Sequence, residues 1–174
     1  MSRRSGGLFV GRLEAENGIA TLAEALELFP GARIEVIGTG AEEARIAGNP
    51  NIHVLGRVGP AEVQERMARA AYLVLPALSY SALPRPLVEA FANSLPVIAS
   101  RAGLLAEMIE PGRNGLLFEP GSARDLARRL AWAEAFPEKM RQMGECAKAD
   151  YQARFVADWS YQRLFGERRR VARV

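Results

Sequence analysis

Short apolar segments alternate with amphipathic segments between residues 6 and 120, and this alternation restricts the fold more than any other feature of the chain. Strands that alternate with helices favour a parallel sheet with helices on both faces. We therefore predict one doubly wound, Rossmann-like α/β domain with a sheet of about six strands. The predicted strands have the apolar cores and the Gly, Pro or polar boundaries typical of buried strands, and they are GGLFVGRL, ARIEVIGTG, NIHVLG, AYLVLPA, PVIAS and GLLFEP.

The chain length also favours a single domain. A chain of 174 residues can bury one core but is too short for two ordinary domains. We assign the core to residues 6–155, and a C-terminal helix with a basic tail to residues 156–174. Within the core, periodic apolar residues predict a helix over 18–28, and Ser122 is placed to cap a helix that Pro137 interrupts.

The composition excludes several classes of protein. A hydrophobic fraction of 49% with 25% charged residues is typical of a soluble globular protein. No apolar run approaches the roughly 20 residues that span a bilayer, and the N-terminus lacks an apolar signal core, so we expect a cytoplasmic location. Cys146 is the only cysteine and His53 the only histidine. The chain therefore has no internal disulfide and no metal cluster built on cysteine or histidine.

Basic residues are concentrated near the C-terminus. The net charge is +3, and the tail GERRRVARV alone carries four arginines and one glutamate. The tail has little aromatic content to stack bases, so nucleic acid is not expected as a partner. We favour a solvated tail. The alternatives are peripheral contact with anionic lipid at the inner face of a membrane, or contact with a further domain.

The segment over residues 76–100 places polar groups where a parallel sheet binds its ligands. It reads as the end of a buried strand, a loop containing serines and prolines, one helix, and a second buried strand. Pro84 and Pro86 are predicted in the first turn of that helix, and Glu89 is predicted near its start, where a helix N-terminus favours negative charge. The carboxyl ends of the strands in open α/β sheets form the ligand-binding crevice.

The sequence from residue 87 to residue 127 carries a specific resemblance. It reads LVEAFANSLPVIASRAGLLAEMIEPGRNGLLFEPGSARDLA, and it resembles the nucleotide-sugar-binding half of retaining GT-B glycosyltransferases of family 4 (group 1). That family has a pair of glutamates eight residues apart, and Glu89 matches the second. The resemblance implies transfer of a sugar, as in polysaccharide biosynthesis, from a nucleoside diphosphate to an acceptor hydroxyl with retention of configuration. It also implies a missing N-terminal domain that holds the acceptor.

The resemblance further implies a donor-binding site at the strand-to-helix turns. Arg12 matches a phosphate-binding arginine, and Glu89 is expected to accept two hydrogen bonds from a ribose diol. The glycines of the GTG segment are expected near the donor, with simple turn glycines as the alternative. Backbone N–H groups in the loop before Glu89 are expected to face the sugar or the diphosphate. The implied donor-binding residues are Gly11, Arg12, Asn17, Gly38, Gly40, Arg57, Val58, Ser81, Ala82, Leu83, Arg85 and Glu89.

Residue types limit how a diphosphate could bind. Both lysines lie late in the chain, so no P-loop lysine is present, and no Asp-x-Asp pair could hold Mg²⁺. The GTG segment lacks the G-x-G-x-x-G context of a nicotinamide site. We therefore expect no metal or other cofactor, with arginine, backbone N–H groups and helix N-termini carrying the charge. No catalytic residue is assigned.

Four positions differ from the family pattern. Asn17 replaces a lysine and Ser81 the first glutamate, while Ser94 and Leu104 replace glycines. These differences leave a second interpretation open, in which a degenerate domain acts as a non-catalytic module that binds a nucleotide or a protein. Because the acceptor domain is missing, the isolated chain is expected to be inactive under the first interpretation.

Overall fold

The computed structural model describes residues 3–80 and 82–156 and contains one parallel sheet of six strands. The strand order is β3-β2-β1-β4-β5-β6, and every neighbouring pair is parallel. The predicted doubly wound α/β fold is confirmed. The strands are β1 (Gly7–Val10), β2 (Ile34–Ile37), β3 (Ile52–Gly56), β4 (Tyr72–Leu75), β5 (Val97–Ser100) and β6 (Gly115–Phe118).

Helices cover both faces of the sheet. After β1 comes a short 3-10 turn (Ala15–Asn17), and a π-helical turn (Tyr151–Val156) ends the described part of the chain. The α-helices are α1 (Ile19–Leu28), α2 (Glu43–Ile46), α3 (Pro60–Arg69), α4 (Arg85–Ala92), α5 (Leu104–Met108), α6 (Ala123–Ala135) and α7 (Pro137–Asp150). Within residues 3–80 and 82–156, none of these helices is long and apolar enough to cross a bilayer.

Two apolar cores lie on opposite sides of the sheet. Central strand residues alternate between them: Phe9 and Val74 belong to the first core, whereas Leu8 and Leu73 belong to the second. This is the period of two that a strand imposes on side chains. The first core is covered by α1, α2 and α6, and the second by α3, α4 and α5. The chain changes face between β3 and β4, so the sheet has its topological switch point between β1 and β4.

Helix α7 joins the two faces. Met140 and Met143 pack in the first core, and Ala147 packs in the second. At the next position Lys148 donates from Nζ to the Ala92 carbonyl at 2.6 Å, which lies at the carboxyl end of α4. Arg4, near the start of the sequence, donates to the carbonyls of the two residues that follow Ala92, at 2.8 and 3.2 Å. Two cations thus cap the negative end of the α4 dipole.

Helix α4 starts slightly later than the sequence suggested. Pro84 has extended backbone angles (φ −70°, ψ 129°) and is the N-cap residue, so only Pro86 lies inside the first turn. Glu89 is the fifth residue of α4 and lies in its second turn. The predicted interaction of Glu89 with the helix N-terminus is therefore wrong, because that dipole effect fades within one turn.

Three other residues noted in the sequence lie at the start of α6, in β3 and on α7. Ser122 caps α6 as predicted, with its Oγ accepting from the Asp125 N–H at 3.2 Å. His53 is the second residue of β3 and is exposed. Cys146 is half-buried on α7. The predicted terminal helix and basic tail lie outside the described residues, apart from Val156.

Candidate functional site

The loops that follow β1 and β4 meet at the switch point of the sheet. The Leu78 N–H donates to the Glu16 carbonyl at 2.9 Å. Gly18 has φ 76°, and a Cβ at this position would lie 1.9 Å from the Pro76 carbonyl oxygen. Only glycine allows this approach, because the neighbouring atom belongs to the backbone. The tight contact places the N-terminus of α1 beside the carboxyl end of β4.

The loop after β2 packs against the loop after β1 through its glycines. A Cβ at Gly38 would lie 1.7 Å from the Gly11 carbonyl oxygen, and one at Gly40 would lie 2.4 Å from the Leu13 carbonyl oxygen. The Leu13 N–H donates to the Thr39 carbonyl at 3.0 Å. Gly38 and Gly40 therefore have a structural role, since protein backbone occupies the space that a side chain would need.

A cavity of about 230 Å³ opens at this carboxyl edge. Its wall is mostly apolar, with one carboxylate from α4 and one arginine from the first residue of the same helix. Glu89 accepts a hydrogen bond at its Oε1 from Arg85 Nε at 2.9 Å, and their side chains are 23% and 84% exposed. The lining residues are Val10, Val58, Pro60, Val63, Arg85, Pro86 and Glu89.

The two polar residues predicted in the first loop interact with each other. The Asn17 side-chain amide donates to the Arg12 carbonyl at 2.7 Å and so closes the loop. The Arg12 side chain is 81% exposed, and its nearest acid is Glu14 at 3.7 Å. The sequence predicts that Arg12, Gly38, Ser81 and Glu89 surround one cleft, and Ser81 lies outside the described residues. Gly38 and Glu89 lie at the same sheet edge, and Arg12 extends into solvent.

Of the remaining predicted residues, Val58 lines the cavity. Arg57 and Ala82 are exposed, and Leu83 is half-buried. Ser81 lies outside the described residues. Leu104, where the family pattern has a glycine, is half-buried and begins α5.

Sequence reasoning missed four of the lining residues. Val10 is the last residue of β1, Pro60 and Val63 belong to the first turns of α3, and Pro86 belongs to α4. Their apolar character gave no chemical signal. The usable signal was positional, because residues that end a strand or begin the next helix in a parallel sheet face the carboxyl edge.

A larger cavity, of about 710 Å³, lies at the opposite edge of the sheet. It includes the first residues of three strands and several arginines, among them Arg33 and Arg69. Helices α1, α3 and α6 end near this cavity, and helix carboxyl ends carry partial negative charge that the arginines complement. The position of these arginines is therefore accounted for by the helix ends and requires no anionic ligand. We assign the functional site to the smaller cavity.

Tyr80 lies next to the site in the loop after β4. Burial raises the pKa of its hydroxyl to about 12, although a hydrogen bond with the backbone of Ala77 lowers the pKa in part. At neutral pH the group is an un-ionised phenol and can donate a hydrogen bond. It cannot serve as a base there. The backbone of Tyr80 also supports the next loop, since a Cβ at Gly103 would lie 2.2 Å from the Tyr80 carbonyl oxygen.

A parallel sheet with its cavity at the switch point defines a Rossmann-like ligand-binding domain. Residues 7–150 match the family model for glycosyl transferases group 1, and the chain belongs to that family. It is 32% identical over 148 residues to the uncharacterized glycosyltransferase MJ1178 of Methanocaldococcus jannaschii, covering 82% of this chain and 42% of that protein. The chain thus spans less than half the length of this relative.

Solved structures share the fold. The crystal structure of Anabaena Alr3699/HepE in complex with UDP and glucose has a TM-score of 0.78 at 22% identity, covering 87% of this chain and 44% of that chain. The C-terminal domain of a group 1 glycosyl transferase (LpcC) from Francisella tularensis has a TM-score of 0.72 at 20% identity. That comparison covers 87% of this chain and 88% of the other. The shared fold therefore extends over most of that C-terminal domain.

Proposed function

We propose that this domain binds the nucleoside diphosphate sugar donor of a retaining glycosyltransferase. The observation that carries the proposal is the Glu89 carboxylate at an otherwise mostly apolar cavity on the carboxyl edge. A carboxylate can accept both hydroxyl protons of a ribose diol, while Val10 and Val58 offer apolar surface to a nucleobase. The HepE complexes with UDP and UDP-glucose support this choice of ligand.

The diphosphate is proposed to lie beside the first turns of α1 and α4. Helix N-termini attract anions through the positive end of the dipole and through those N–H groups that remain free. The leaving diphosphate would then be stabilised by these groups and by arginine, without a metal ion. Transfer without a metal ion and with retention of configuration is part of the proposed function.

Sugar transfer is proposed to require a second, acceptor-binding domain. Positioning an acceptor hydroxyl within about 3 Å of the anomeric carbon can contribute roughly 7 to 11 kcal/mol to catalysis. In this proposal the polar residues that line the cavity at the carboxyl edge are assigned to the donor, and none is left to hold an acceptor. We therefore propose that the isolated chain binds the donor but does not transfer sugar.

A second candidate function is a non-catalytic binding module. Asn17 favours it, since this residue is uncharged and its amide is already bound to the Arg12 carbonyl. A site that lacks the lysine charge of the family pattern at position 17 would bind a diphosphate more weakly. Hydrogen bonds from charged donors are roughly twice as strong as neutral ones.

Titration calorimetry with UDP-, GDP- and ADP-sugars separates the two functions. The donor-binding proposal expects one of these ligands to bind with micromolar affinity and Glu89→Ala to remove the binding. Glu65→Ala, which removes an exposed carboxylate from α3, is the control and should bind as the native chain does. The double change Asn17→Lys with Ser81→Glu should tighten binding. If no sugar nucleotide binds to the native or the double-changed chain, the module is favoured.

A further inference from the structure

Arg85 occupies an unusual position at the candidate site. It is the first residue of α4, and its guanidinium bonds to Glu89 one turn later. Arg85 is also the only cation among the described residues that line the cavity. Glu89 has no other ion-pair partner in the described part of the chain. The site therefore pairs one carboxylate with one exposed arginine.

Helix stability does not explain an arginine at this position. The N-terminus of a helix carries partial positive charge, so a cation there is unfavourable. The order of the pair is also the weaker one, since an acid placed four residues before a base stabilises a helix more than the reverse order. In addition, the side chain of Arg85 is 84% exposed, and exposed ion pairs contribute little.

The backbone at the start of α4 offers few donors to an anion. Pro84 and Pro86 have no N–H group, and the N–H of Leu87 already donates to the Pro84 carbonyl at 3.1 Å. Of the four residues from Pro84 to Leu87, only Arg85 has an N–H that makes no bond with described residues. An anion bound at this helix end would therefore need a side-chain cation.

We infer that the Arg85 side chain binds the diphosphate of the donor and gives up its bond to Glu89 when the donor binds. The inference rests on the proposed donor-binding function. When the ribose hydroxyls donate to Glu89, they replace the guanidinium as its partner. Arg85 then turns to the phosphate oxygens, which match the planar, bidentate geometry of a guanidinium. The exchange leaves neither charged group buried and unpaired.

The test compares a nucleoside with its diphosphate. Calorimetry with UDP, GDP and ADP first identifies the nucleoside, in the native chain and in the chain with Asn17→Lys and Ser81→Glu. Arg85→Gln should then weaken binding of the diphosphate roughly ten-fold or more, and should leave the nucleoside unchanged or bound more tightly, because Glu89 is released. Arg85→Lys, which keeps the charge but loses the bidentate geometry, should lie between Arg85→Gln and the native chain.

Arg69→Gln is the matched control. Arg69 also forms an exposed pair with a glutamate four residues away on a helix, but it lies at the opposite edge of the sheet. Its loss should change neither affinity.

Two results overturn the inference while the donor-binding proposal survives. One is that Arg85→Gln tightens nucleoside and diphosphate equally, in which case Arg85 only competes for Glu89. The other is that Arg85→Gln behaves as Arg69→Gln does. If neither background binds any of the three diphosphates, the donor-binding proposal itself fails and the inference fails with it.

Discussion

Ser94 is the one non-glycine residue with a positive φ among the described residues, at 55°. The resemblance places a glycine at this position, and the backbone conformation explains why, since a side chain in the left-handed region costs about 1 to 2 kcal/mol. The Ser94 carbonyl accepts a hydrogen bond from Arg4 at 3.2 Å, and this bond also helps to stabilise the strained conformation. Of the four differences from the family pattern, this one therefore affects the backbone rather than the ligand.

Ser94→Gly should stabilise the protein. We expect the free energy of unfolding to rise by about 1 kcal/mol, measured by urea denaturation. Ser122→Gly is the control, because it makes the same chemical change at a residue with φ −87°. It should lower stability by a few tenths of a kcal/mol, since Ser122 caps α6. Equal effects of the two changes would show that Ser94 is not strained.

At the same scale, the sequence indicated positions at the carboxyl edge but not the contacts of their side chains. Val58 and Glu89, two of the residues named from the resemblance, line the cavity. The Asn17 bond to the Arg12 carbonyl and the Arg85 bond to Glu89 were not predicted. Both depend on side-chain rotamers of exposed residues, and several rotamers of nearly equal energy are open to such residues. A sequence pattern does not choose among them.

Among the elements, α7 packs directly against the backbone of the turn between α4 and β5. A Cβ at Gly144 would lie 2.1 Å from the Ser94 carbonyl oxygen and 3.2 Å from Pro96 Cδ. The helix can therefore sit on the turn between α4 and β5 only because residue 144 has no side chain. The contact also sets the position from which Met140 and Ala147 reach the two cores.

Gly144→Ala should destabilise the protein by about 2 kcal/mol. Alanine favours a helix by about 1 kcal/mol over glycine, but overpacking against backbone costs typically more than that gain. The control is Gly59→Ala, at a position where an added Cβ meets no atom within 4 Å. Urea denaturation of both variants provides the measurement. If Gly144→Ala is as stable as Gly59→Ala, then α7 does not pack as closely as described.

The elements themselves were largely predictable. All six strands and the order of helices followed from apolar segments bounded by glycine and proline, because buried parallel strands are continuously apolar. The start of α4 was less certain, since Pro84 and Pro86 both fit a first turn. Only the backbone angles of Pro84 decide between them. The capping of α4 by Arg4 and Lys148 was not predictable, because these residues are 89 and 56 positions from their partners.

For the whole molecule, buried tyrosines predict a loss of stability at high pH. Burial raises the pKa of Tyr80 to about 12, and burial with a hydrogen bond to Glu134 raises the pKa of Tyr72 as well. Below about pH 10 the hydroxyls are protonated in both the folded and the unfolded chain. Above that pH only the unfolded chain ionises, so the free energy of unfolding falls as the pH rises towards 12.

Tyr80→Phe should reduce this pH dependence. Replacing Tyr80 removes one of the groups responsible, so the decline between about pH 10 and 12 should shrink by about 2 kcal/mol. The measurement is urea denaturation at several pH values, with tyrosinate absorbance recorded in parallel. The native chain at neutral pH provides the reference for each variant. Identical declines with and without Tyr80 would contradict a raised pKa at this residue.

The two cations on α4 bear on how the chain folds during synthesis. Arg4 leaves a ribosome long before Lys148, yet both bind carbonyls at the same helix end. Contacts between residues so far apart in sequence form slowly, since a long loop must close first. A nascent chain that ends before α7 would expose the apolar surface that Met140, Met143 and Ala147 cover. We therefore expect the domain to complete folding only after α7 has been made, so that until then a sheet with incompletely covered cores is open to chaperones.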